Sequence, residues 1–440
     1  MAECIKKYIK SSIKYLIVFI VCVSALLGAL VLTATIPREK IETNMRKSLK
    51  FFKEHDGIER VIPGRDYTYL HIYSDSLLFN IIYCIDTNNP LESVMWSKYY
   101  ETMYADINND YIFVVENEEE PNQEYLRYWH GGMTIIRPLL VFFNIDEIYL
   151  INKIVMWALA IALLILLAIK SKKLALTYIL AMVFIAFPVV PYCLASSWVF
   201  HIMFITGIIA LLIEKRGNKG LYMLFFITGI LTCYMDFLTT EIITVLVPLT
   251  LVLCIRKKEK HLTTFKEEMI FLVKSCSIWG IGYIAMWLAK WGLASVILDI
   301  DAIGEYVKDR VFVRVNGLQG FLTYEQIYLG AIPINVHNLY PLNILSVEEL
   351  QGAILIFAVI IILGLDWKNI KKHWFSALML VIAVIPYARY MVLANHSYRH
   401  AFFTFRTQMS TIIALVAIII DCLKYRLMFK EITFRKKKDK

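Results

Sequence analysis

Ten apolar stretches limit what this chain can fold into more than any other feature. They cover residues 15–36, 149–169, 174–190, 198–213, 221–236, 240–255, 269–288, 351–365, 375–391 and 407–423. A helix needs about 20 mainly apolar residues to cross roughly 30 Å of hydrocarbon. With 58% apolar and 19% charged residues, an ordinary soluble globular protein is excluded. The sequence predicts an all-α polytopic membrane protein with about 10 transmembrane helices.

The stretches divide the chain into spans and connecting segments. The predicted order is a cytoplasmic N-terminus at 1–14, a first transmembrane helix at 15–36, an extracytoplasmic loop at 37–148, helices 2–7 within 149–288, a second extracytoplasmic loop at 289–350, helices 8–10 within 351–423 and a basic cytoplasmic tail at 424–440. Residues 74–83 carry apolar side chains at helical spacing. This pattern predicts helices that lie at the membrane interface within the first large loop.

Basic residues set the predicted orientation. They occupy the N-terminus, every second short loop and the tail: Lys6, Lys7, Lys10, Lys14, Lys170, Lys172, Lys173, Lys215, Arg216, Lys219, Arg256, Lys257, Lys258, Lys260, Lys368, Lys371, Lys372 and Arg435 to Lys438. The positive-inside rule makes this side cytoplasmic, with both termini on it. Topology then accounts for the net charge of +9. We therefore expect the tail to meet anionic lipid headgroups and expect no nucleic-acid partner.

Unusual polar residues gather on the opposite, outer side. Asp75 stands at the start of the predicted helix in the first large loop, among Leu77, Leu78 and Phe79. An outer carboxylate in apolar surroundings is a candidate general base, because such surroundings raise its pKa. The alternative is a helix cap, since an acid at this position complements the helix dipole.

A second group lies just before the second span. His130 precedes the glycine pair Gly131 and Gly132, which permits a close backbone approach. Arg137 is surrounded by apolar residues. Its guanidinium suits bidentate binding of a phosphate, and an internal ion pair with an outer acid is the equal alternative.

Two acids follow at a predicted outer turn. Asp236 and Glu241 are separated by Thr239 and Thr240. Helix capping is one interpretation of this pattern. A carboxylate pair that holds a divalent cation beside a lipid phosphate is the other. The metal requirement stays open, and no other cofactor is expected. The eight cysteines contain no CxxC pair and are interpreted as packing residues.

The last group is the richest in chemistry. Asn395, His396, His400 and Arg406 lie among aromatic residues at a predicted outer boundary, with Arg389 just before them. Positive charge outside opposes the orientation rule, and an anionic ligand explains it. Zinc bound by the two histidines at i, i+4 is an alternative, although no HExxH glutamate accompanies them. A polar knot, meaning a hydrogen-bonded cluster of polar residues with only a structural role, is the third interpretation.

These blocks resemble the GT-C superfamily of integral membrane glycosyltransferases, which use polyprenyl-phosphate sugars. The resemblance rests on a first span followed by a large outer loop with an acid, and on basic residues on the same face. The blocks Tyr128 to Leu140 and Ala394 to Arg406 also look similar to multi-span proteins of Gram-positive bacteria. The resemblance implies that Asp75 activates the acceptor. It implies that the basic outer residues hold the donor's phosphate: His130, Arg137, His396, His400 and Arg406. Asp236, Glu241 and Asn395 complete the expected substrate-binding residues.

The expected function is therefore sugar transfer at the outer face of a bacterial plasma membrane. The expected partners are a polyprenyl-phosphate sugar donor, membrane lipid, and a glycan, lipid or protein acceptor. A cell-envelope polysaccharide polymerase or acyltransferase, a flippase or transporter of lipid-linked saccharides, and a non-enzymatic assembly or sensor protein are the alternatives. Transport predicts charge at the membrane midplane, whereas the mid-span sequence is almost uncharged.

Overall fold

The computed structural model describes residues 2–62, 68–103, 106–308, 312, 323–364 and 372–422. The described chain is almost entirely helical, which confirms the predicted all-α class. Its one sheet is a minimal antiparallel pair, β1 (Glu59–Arg60) with β2 (Tyr69–Leu70). The predicted basic tail at 424–440 lies outside the described residues.

The first 140 residues form one long helix followed by five shorter ones. They are α1 (Ala2–Ala34), α2 (Arg38–Glu54), α3 (Ile72–Tyr83), α4 (Pro90–Trp96), α5 (Ile107–Asn117) and α6 (Met133–Leu139). The first predicted span falls on α1. The other five helices lie in the predicted extracytoplasmic loop, which contains regular structure as its length suggested.

The remainder of the chain is dominated by long helices. They are α7 (Ile145–Lys170), α8 (Lys172–Phe184), α9 (Leu194–Ile213), α10 (Asn218–Met235), α11 (Ile243–Glu259), α12 (Phe265–Leu298), α13 (Tyr324–His337), α14 (Val347–Gly364), α15 (Trp374–Val392), α16 (Ala394–Arg399), α17 (Ala401–Thr404) and α18 (Met409–Cys422). Short 3₁₀ turns cover Phe187–Tyr192, Glu214–Arg216, Leu342–Ile344 and Phe405–Gln408, and a π-helical turn covers Ala302–Val307.

Six helical segments in the described residues are long and apolar enough to cross a membrane. They are Ser12–Ala34, Ile145–Lys170, Leu194–Arg216, Phe265–Leu298, Trp374–Val392 and Ala401–Cys422. All ten predicted stretches overlap helices, but the count of ten crossings stays a prediction. The stretch 174–190 differs most, because its helix ends at Phe184. Pro188 and Pro191 lack the N–H that a continuing helix needs, and a 3₁₀ turn replaces it.

An aromatic cluster holds the extracytoplasmic segment together. The rings of Phe52, Phe79 and Tyr111 lie 5.0–5.8 Å apart and join α2, α3 and α5. The Tyr111 hydroxyl also donates to the Met45 carbonyl at 3.1 Å. Helix α3 is buried on almost every side, so it does not present one face to lipid as its apolar stripe predicted. Helices from both sides cover it and leave only its first turn partly exposed.

The two ends of the helix bundle differ in their contacts. At one end, which we call the basic end, Lys170 lies 3.7 Å from Glu214, Lys215 lies 2.8 Å from Glu259, and Arg256 lies 3.6 Å from Glu268. The basic residues around Lys170, Lys215 and Arg256 therefore meet at one end of the described bundle, while the side of the membrane on which this end lies stays a prediction. The α2–α6 segment packs at the other end, where the Trp129 indole donates to the Met286 carbonyl at 2.9 Å.

Candidate functional site

A cavity of about 320 Å³ lies where four segments meet at the end of the bundle opposite the basic end. The segments are the start of α3, the loop before α6, the turn between α10 and α11, and the chain from α16 to α17. The lining residues are Ile58, His71, Tyr73, Ser74, Leu77, Leu78, Tyr125, Arg127, Tyr128, His130, Phe237, Thr239, His396, His400 and Phe403. Four imidazoles, one guanidinium and three phenols line it, and these lining residues include no carboxylate. We call this the histidine cavity.

His396 and His400 form one wall. Their rings are 4.7 Å apart, one helical turn from each other, and the His400 ring stacks on Phe403 at 5.3 Å. His396 Nε2 lies 2.6 Å from the Leu238 carbonyl oxygen. A carbonyl only accepts, so Nε2 carries the proton and donates. This bond fixes the buried His396 ring, whereas His400 is half-buried.

His130 lies on another wall in an unusual backbone conformation. Its φ of 54° is left-handed, and Gly131 follows, whose N–H donates to the Tyr234 carbonyl at 3.0 Å. A Cβ on residue 131 would collide with that carbonyl, which explains the glycine. His130 Nε2 donates to the Tyr125 carbonyl at 3.0 Å, while Nδ1 is buried without a hydrogen-bond partner.

Burial lowers the pKa of His130 to about 3. The imidazole is therefore neutral at physiological pH. Its Nε2 carries the proton, so Nδ1 is a hydrogen-bond acceptor. No group in the described chain donates to it. An unsatisfied buried acceptor costs free energy unless a bound molecule donates to it.

Arg127 supplies the cavity's guanidinium. It lies over the Tyr125 ring at 4.5 Å and over the Tyr128 ring at 5.5 Å, and it donates to the Tyr125 hydroxyl at 3.1 Å. Its Nε is buried without a hydrogen-bond partner. In the part of the chain that the structure describes, no carboxylate forms an ion pair with it. The stacked rings hold a cation whose donors are not fully used.

Asp75, the predicted base, lies outside the cavity lining and is fully buried. Its carboxylate accepts from the Leu194 N–H at 2.8 Å, the Ala195 N–H at 3.0 Å and the Tyr149 hydroxyl at 2.8 Å. Burial raises its pKa to about 6, although these bonds oppose the rise. Asp75 thus caps the first turn of α9 from a distant segment and ties α3 to the bundle. Asp75 is therefore a helix cap, but it caps α9 and not α3, the helix in which it lies.

Arg137 binds neither an acid nor the cavity. Its guanidinium donates to the carbonyls of Ile82 and Ile36, the latter at 2.7 Å. These carbonyls belong to the last turn of α3 and to the chain just after α1, where helix ends leave acceptors unsatisfied. Burial lowers the pKa of Arg137 to about 10, so it remains charged. The cation therefore joins two helix ends.

Asp236 and Glu241 are both buried at the turn between α10 and α11, and each has its own partners. Asp236 accepts from the Thr239 N–H at 3.0 Å and the Thr239 hydroxyl at 2.5 Å, a local capping turn. Glu241 forms a two-point ion pair with Arg389 at 2.9 and 3.0 Å.

Asn395 and Arg406 belong to the packing behind the His396–His400 wall. Asn395 is buried in α16, and Arg406 donates to the carbonyls of Ile185 and Phe402, both at 3.1 Å. Next to them, Thr404 donates to the Asn335 side chain at 2.7 Å. The polar knot considered from the sequence is therefore present, while its two histidines face the cavity.

The structure brings together three of the nine predicted site residues, His130, His396 and His400, in one cavity. His71 and Arg127 were missed. His71 stands four residues before Asp75, and its Nδ1 is hydrogen-bonded to the Ser74 hydroxyl. The signal for Arg127 was its place between Tyr125 and Tyr128, since aromatic residues that flank an arginine can stack on it.

A metal in the cavity finds little support in the described residues. The only group of three close His, Cys, Asp or Glu ligands in the described ranges is elsewhere, at His373, Asp421 and Cys422. The chemistry of the histidine cavity is instead that of hydrogen-bond donors around an anion. It combines an arginine, phenol hydroxyls and imidazoles with apolar walls.

Comparison with known proteins gives no match for this chain, whether to a protein-family model, a curated protein or a solved structure.

Proposed function

We propose that the protein is a membrane glycosyltransferase that transfers a sugar from a polyprenyl-phosphate donor to an extracytoplasmic acceptor. The donor's phosphate binds in the histidine cavity, and its prenyl chain stays in the lipid beside the bundle. The enzyme works in a bacterial plasma membrane, with the basic end of the bundle in the cytoplasm. The acceptor is a glycan, lipid or protein of the cell surface.

The observation that carries this proposal is the composition of the cavity lining. One arginine and four histidines meet there without a carboxylate among the lining residues, so an anion is favoured over a cation. Arg127 offers donors in the geometry that phosphate oxygens accept. The buried Nδ1 of His130 is an acceptor, which suits a sugar hydroxyl next to that phosphate.

The proposed reaction is a direct displacement at the anomeric carbon. The acceptor oxygen forms a bond to that carbon while the bond between the carbon and the phosphate oxygen breaks. The electron pair leaves with the phosphate, whose growing charge Arg127 stabilises. The acceptor's proton passes to an imidazole, for which half-buried His400 has the better position than enclosed His396.

This assignment moves the base from Asp75 to a histidine. The Asp75 carboxylate already accepts three hydrogen bonds and is enclosed by protein, so an acceptor hydroxyl has no route to it in this conformation. Asp75 acts instead as a positioning residue. It fixes the start of α3, and with it His71 and Ser74, against α9.

A transfer assay in proteoliposomes tests the proposal. Full-length protein is mixed with a radiolabelled polyprenyl-phosphate hexose or pentose and with a cell-envelope fraction as acceptor source. We expect label to leave the lipid in the presence of the protein. His400→Ala should lower the rate roughly 100-fold or more, because general-base catalysis contributes about 10²–10⁴.

The matched control is His261→Ala, which removes an exposed histidine at the basic end. It should transfer sugar at the wild-type rate. Full activity of His400→Ala would remove that residue from the mechanism. Failure of the wild-type protein to consume any polyprenyl-phosphate sugar, with each envelope fraction tried, would contradict the glycosyltransferase proposal.

One contact favours a second candidate, an acyltransferase. The Ser74 hydroxyl is hydrogen-bonded to His71 Nδ1 inside the cavity, and this pairing is the arrangement of an activated nucleophile with its base. An acyl donor should then leave a covalent ester on Ser74, visible as a mass increase of the intact protein that Ser74→Ala abolishes. In the glycosyltransferase, Ser74→Ala keeps sugar transfer and no ester forms.

A further inference from the structure

A second cluster of metal-ligating side chains lies at the basic end of the bundle, far along α15 and α18 from the cavity. His373 is the residue that precedes α15, and Asp421 and Cys422 are the last two residues of α18. One ligand atom of each lies within 4.8 Å of the other two. The side chains of His373 and Asp421 are 19% and 12% exposed, and Cys422 is 3% exposed. Helices α15 and α18 pack against each other along their length.

We infer that His373, Asp421 and Cys422 form a binding site for a zinc ion, with the fourth position left to water. Imidazole nitrogen, carboxylate oxygen and thiolate sulfur are the three ligand types that Zn²⁺ uses in proteins. With Zn–N and Zn–O bonds of about 2.0–2.2 Å, a tetrahedron places neighbouring nitrogen and oxygen ligands about 3.4 Å apart. His373 Nδ1 and Asp421 Oδ2 are 3.5 Å apart.

The surrounding residues support the ligands from outside. Lys257 Nζ lies 3.1 Å from Asp421 Oδ1, the carboxylate oxygen that does not face His373. The Ser376 hydroxyl donates to Asp421 Oδ2 at 2.9 Å and accepts from the Cys422 thiol at 2.7 Å. Partners of this kind orient ligands and tune their basicity. When the ion binds, the Cys422 thiol loses its proton to solvent and coordinates as a thiolate.

The location of the site suggests a structural role. Helices α15 and α18 flank residues 394–408, which include His396 and His400 of the histidine cavity. A zinc ion at the opposite end fixes the start of α15 to the end of α18. It thereby limits sliding of the two helices that hold one wall of the cavity. The inference does not depend on the reaction proposed above.

Cobalt provides the test, because Co²⁺ occupies zinc sites and is coloured. Full-length protein in detergent is titrated with Co²⁺, and thiolate coordination is read from a ligand-to-metal charge-transfer band in the near ultraviolet. We expect one Co²⁺ per chain with this band and displacement by Zn²⁺. Cys422→Ser should abolish the band. His373→Gln should weaken Co²⁺ binding at least tenfold.

Cys276→Ser is the matched control, since it removes a half-buried cysteine from α12. It should leave the band unchanged. Each variant is compared with wild type by far-ultraviolet circular dichroism, and Zn²⁺ should raise the melting temperature of the wild type but not of Cys422→Ser. A wild-type titration without a thiolate band, or a band that survives Cys422→Ser, overturns the inference and leaves an ordinary polar cluster around Lys257 and Asp421.

Discussion

The histidine cavity and the buried cations around it lie at the same end of the molecule and looked alike in sequence. Both contain basic residues beside apolar stretches, and both suggested phosphate binding. In the structure Arg137 and Arg406 donate to backbone carbonyls at helix ends, and Lys290 does the same to Val94 and Met95 at 3.0 and 2.9 Å. Arg127 instead lies on two aromatic rings, donates to the Tyr125 hydroxyl and lines the cavity.

The difference shows that burial alone does not identify a binding cation. Carbonyls at helix ends can accept from a buried guanidinium as well as a ligand does. Buried nitrogens without a partner occur in both regions, at Arg127 Nε and His130 Nδ1 and also at Arg137 Nε. What distinguishes Arg127 is that it lines the cavity and donates to a phenol hydroxyl, whereas Arg137 donates to two backbone carbonyls. The variants below separate the two regions by stability and by binding, in order of expected effect.

Arg389→Leu should have the largest effect on stability. It removes one partner of the buried pair with Glu241 and leaves an uncompensated charge, at a cost of about 3–5 kcal/mol in the free energy of unfolding. Chemical unfolding in mild detergent measures the change. The double variant Arg389→Leu, Glu241→Leu should recover much of the loss. Arg46→Gln, at an exposed ion pair, is the control. If Arg389→Leu lowers the free energy of unfolding by less than Arg46→Gln does, the Arg389–Glu241 pair does not stabilise the fold.

Arg137→Met comes next and tests the cations that bind carbonyls. The methionine fills similar space but donates nothing, so Ile36 and Ile82 lose a charged donor. Hydrogen bonds to charged groups are worth about 1.5–3 kcal/mol, and we expect a loss of that size. Affinity for polyprenyl phosphate, measured on the folded variant at low temperature, should stay as in wild type. A selective loss of phosphate affinity with unchanged stability would restore Arg137 to the binding site.

Asp75→Asn tests the cap across two segments. The side-chain amide of asparagine has one acceptor oxygen where the carboxylate has two. At least one of the backbone N–H groups at the start of α9 therefore loses its acceptor. Loss of a helix N-cap costs about 0.5–2 kcal/mol, and the free energy of unfolding should fall by that amount. We expect the folded variant to keep most of its sugar transfer, with a modest loss because His71 and Ser74 are held less firmly. Abolished transfer with intact stability would return the base to Asp75.

His130→Asn should have the smallest effect, visible in pH dependence. Between pH 6.5 and about 3, His130 binds a proton in the unfolded chain but not in the folded chain. The contribution of His130 to the free energy of unfolding therefore falls as the pH falls through this range. Asparagine tolerates the left-handed backbone and does not titrate. The stability of wild type relative to the variant should drop by about 1.2 kcal/mol between pH 6 and pH 5. A pH-independent difference would show that the pKa of His130 is the same in the folded and the unfolded protein.

The sequence predicted the helices well because apolar runs report directly on the bilayer. It could also find His130, His396 and His400, since histidine at a membrane boundary is rare without a partner or ligand. It could not assign Arg137 and Asp75, because their partners are remote in the chain. Arg137 reaches Ile36 over 101 residues, and Asp75 reaches Leu194 over 119. Such pairings depend on how the segments dock, which local pattern does not encode.

The same reason explains the missed residues. His71 becomes a wall of the cavity only because the start of α3 packs near Phe402 and Phe403, with ring distances of 5.5 and 5.6 Å. The burial of α3 on almost every side, which its apolar stripe did not predict, has a related cause. Its polar residues, Ser76 and Asn80, bond to Ile107 and Tyr100 and are buried like its apolar ones.

The most direct test of the account compares the affinity of the full-length protein in nanodiscs for a polyprenyl phosphate and for the matching polyprenol. We predict that wild type prefers the phosphate and that Arg127→Gln lowers phosphate affinity roughly 10- to 100-fold, as loss of a charged hydrogen bond implies. Polyprenol binding should not change, and Arg46→Gln, at an exposed ion pair, should behave as wild type. Equal binding of phosphate and alcohol by wild type, or full phosphate affinity in Arg127→Gln, would contradict the histidine cavity as the anion site.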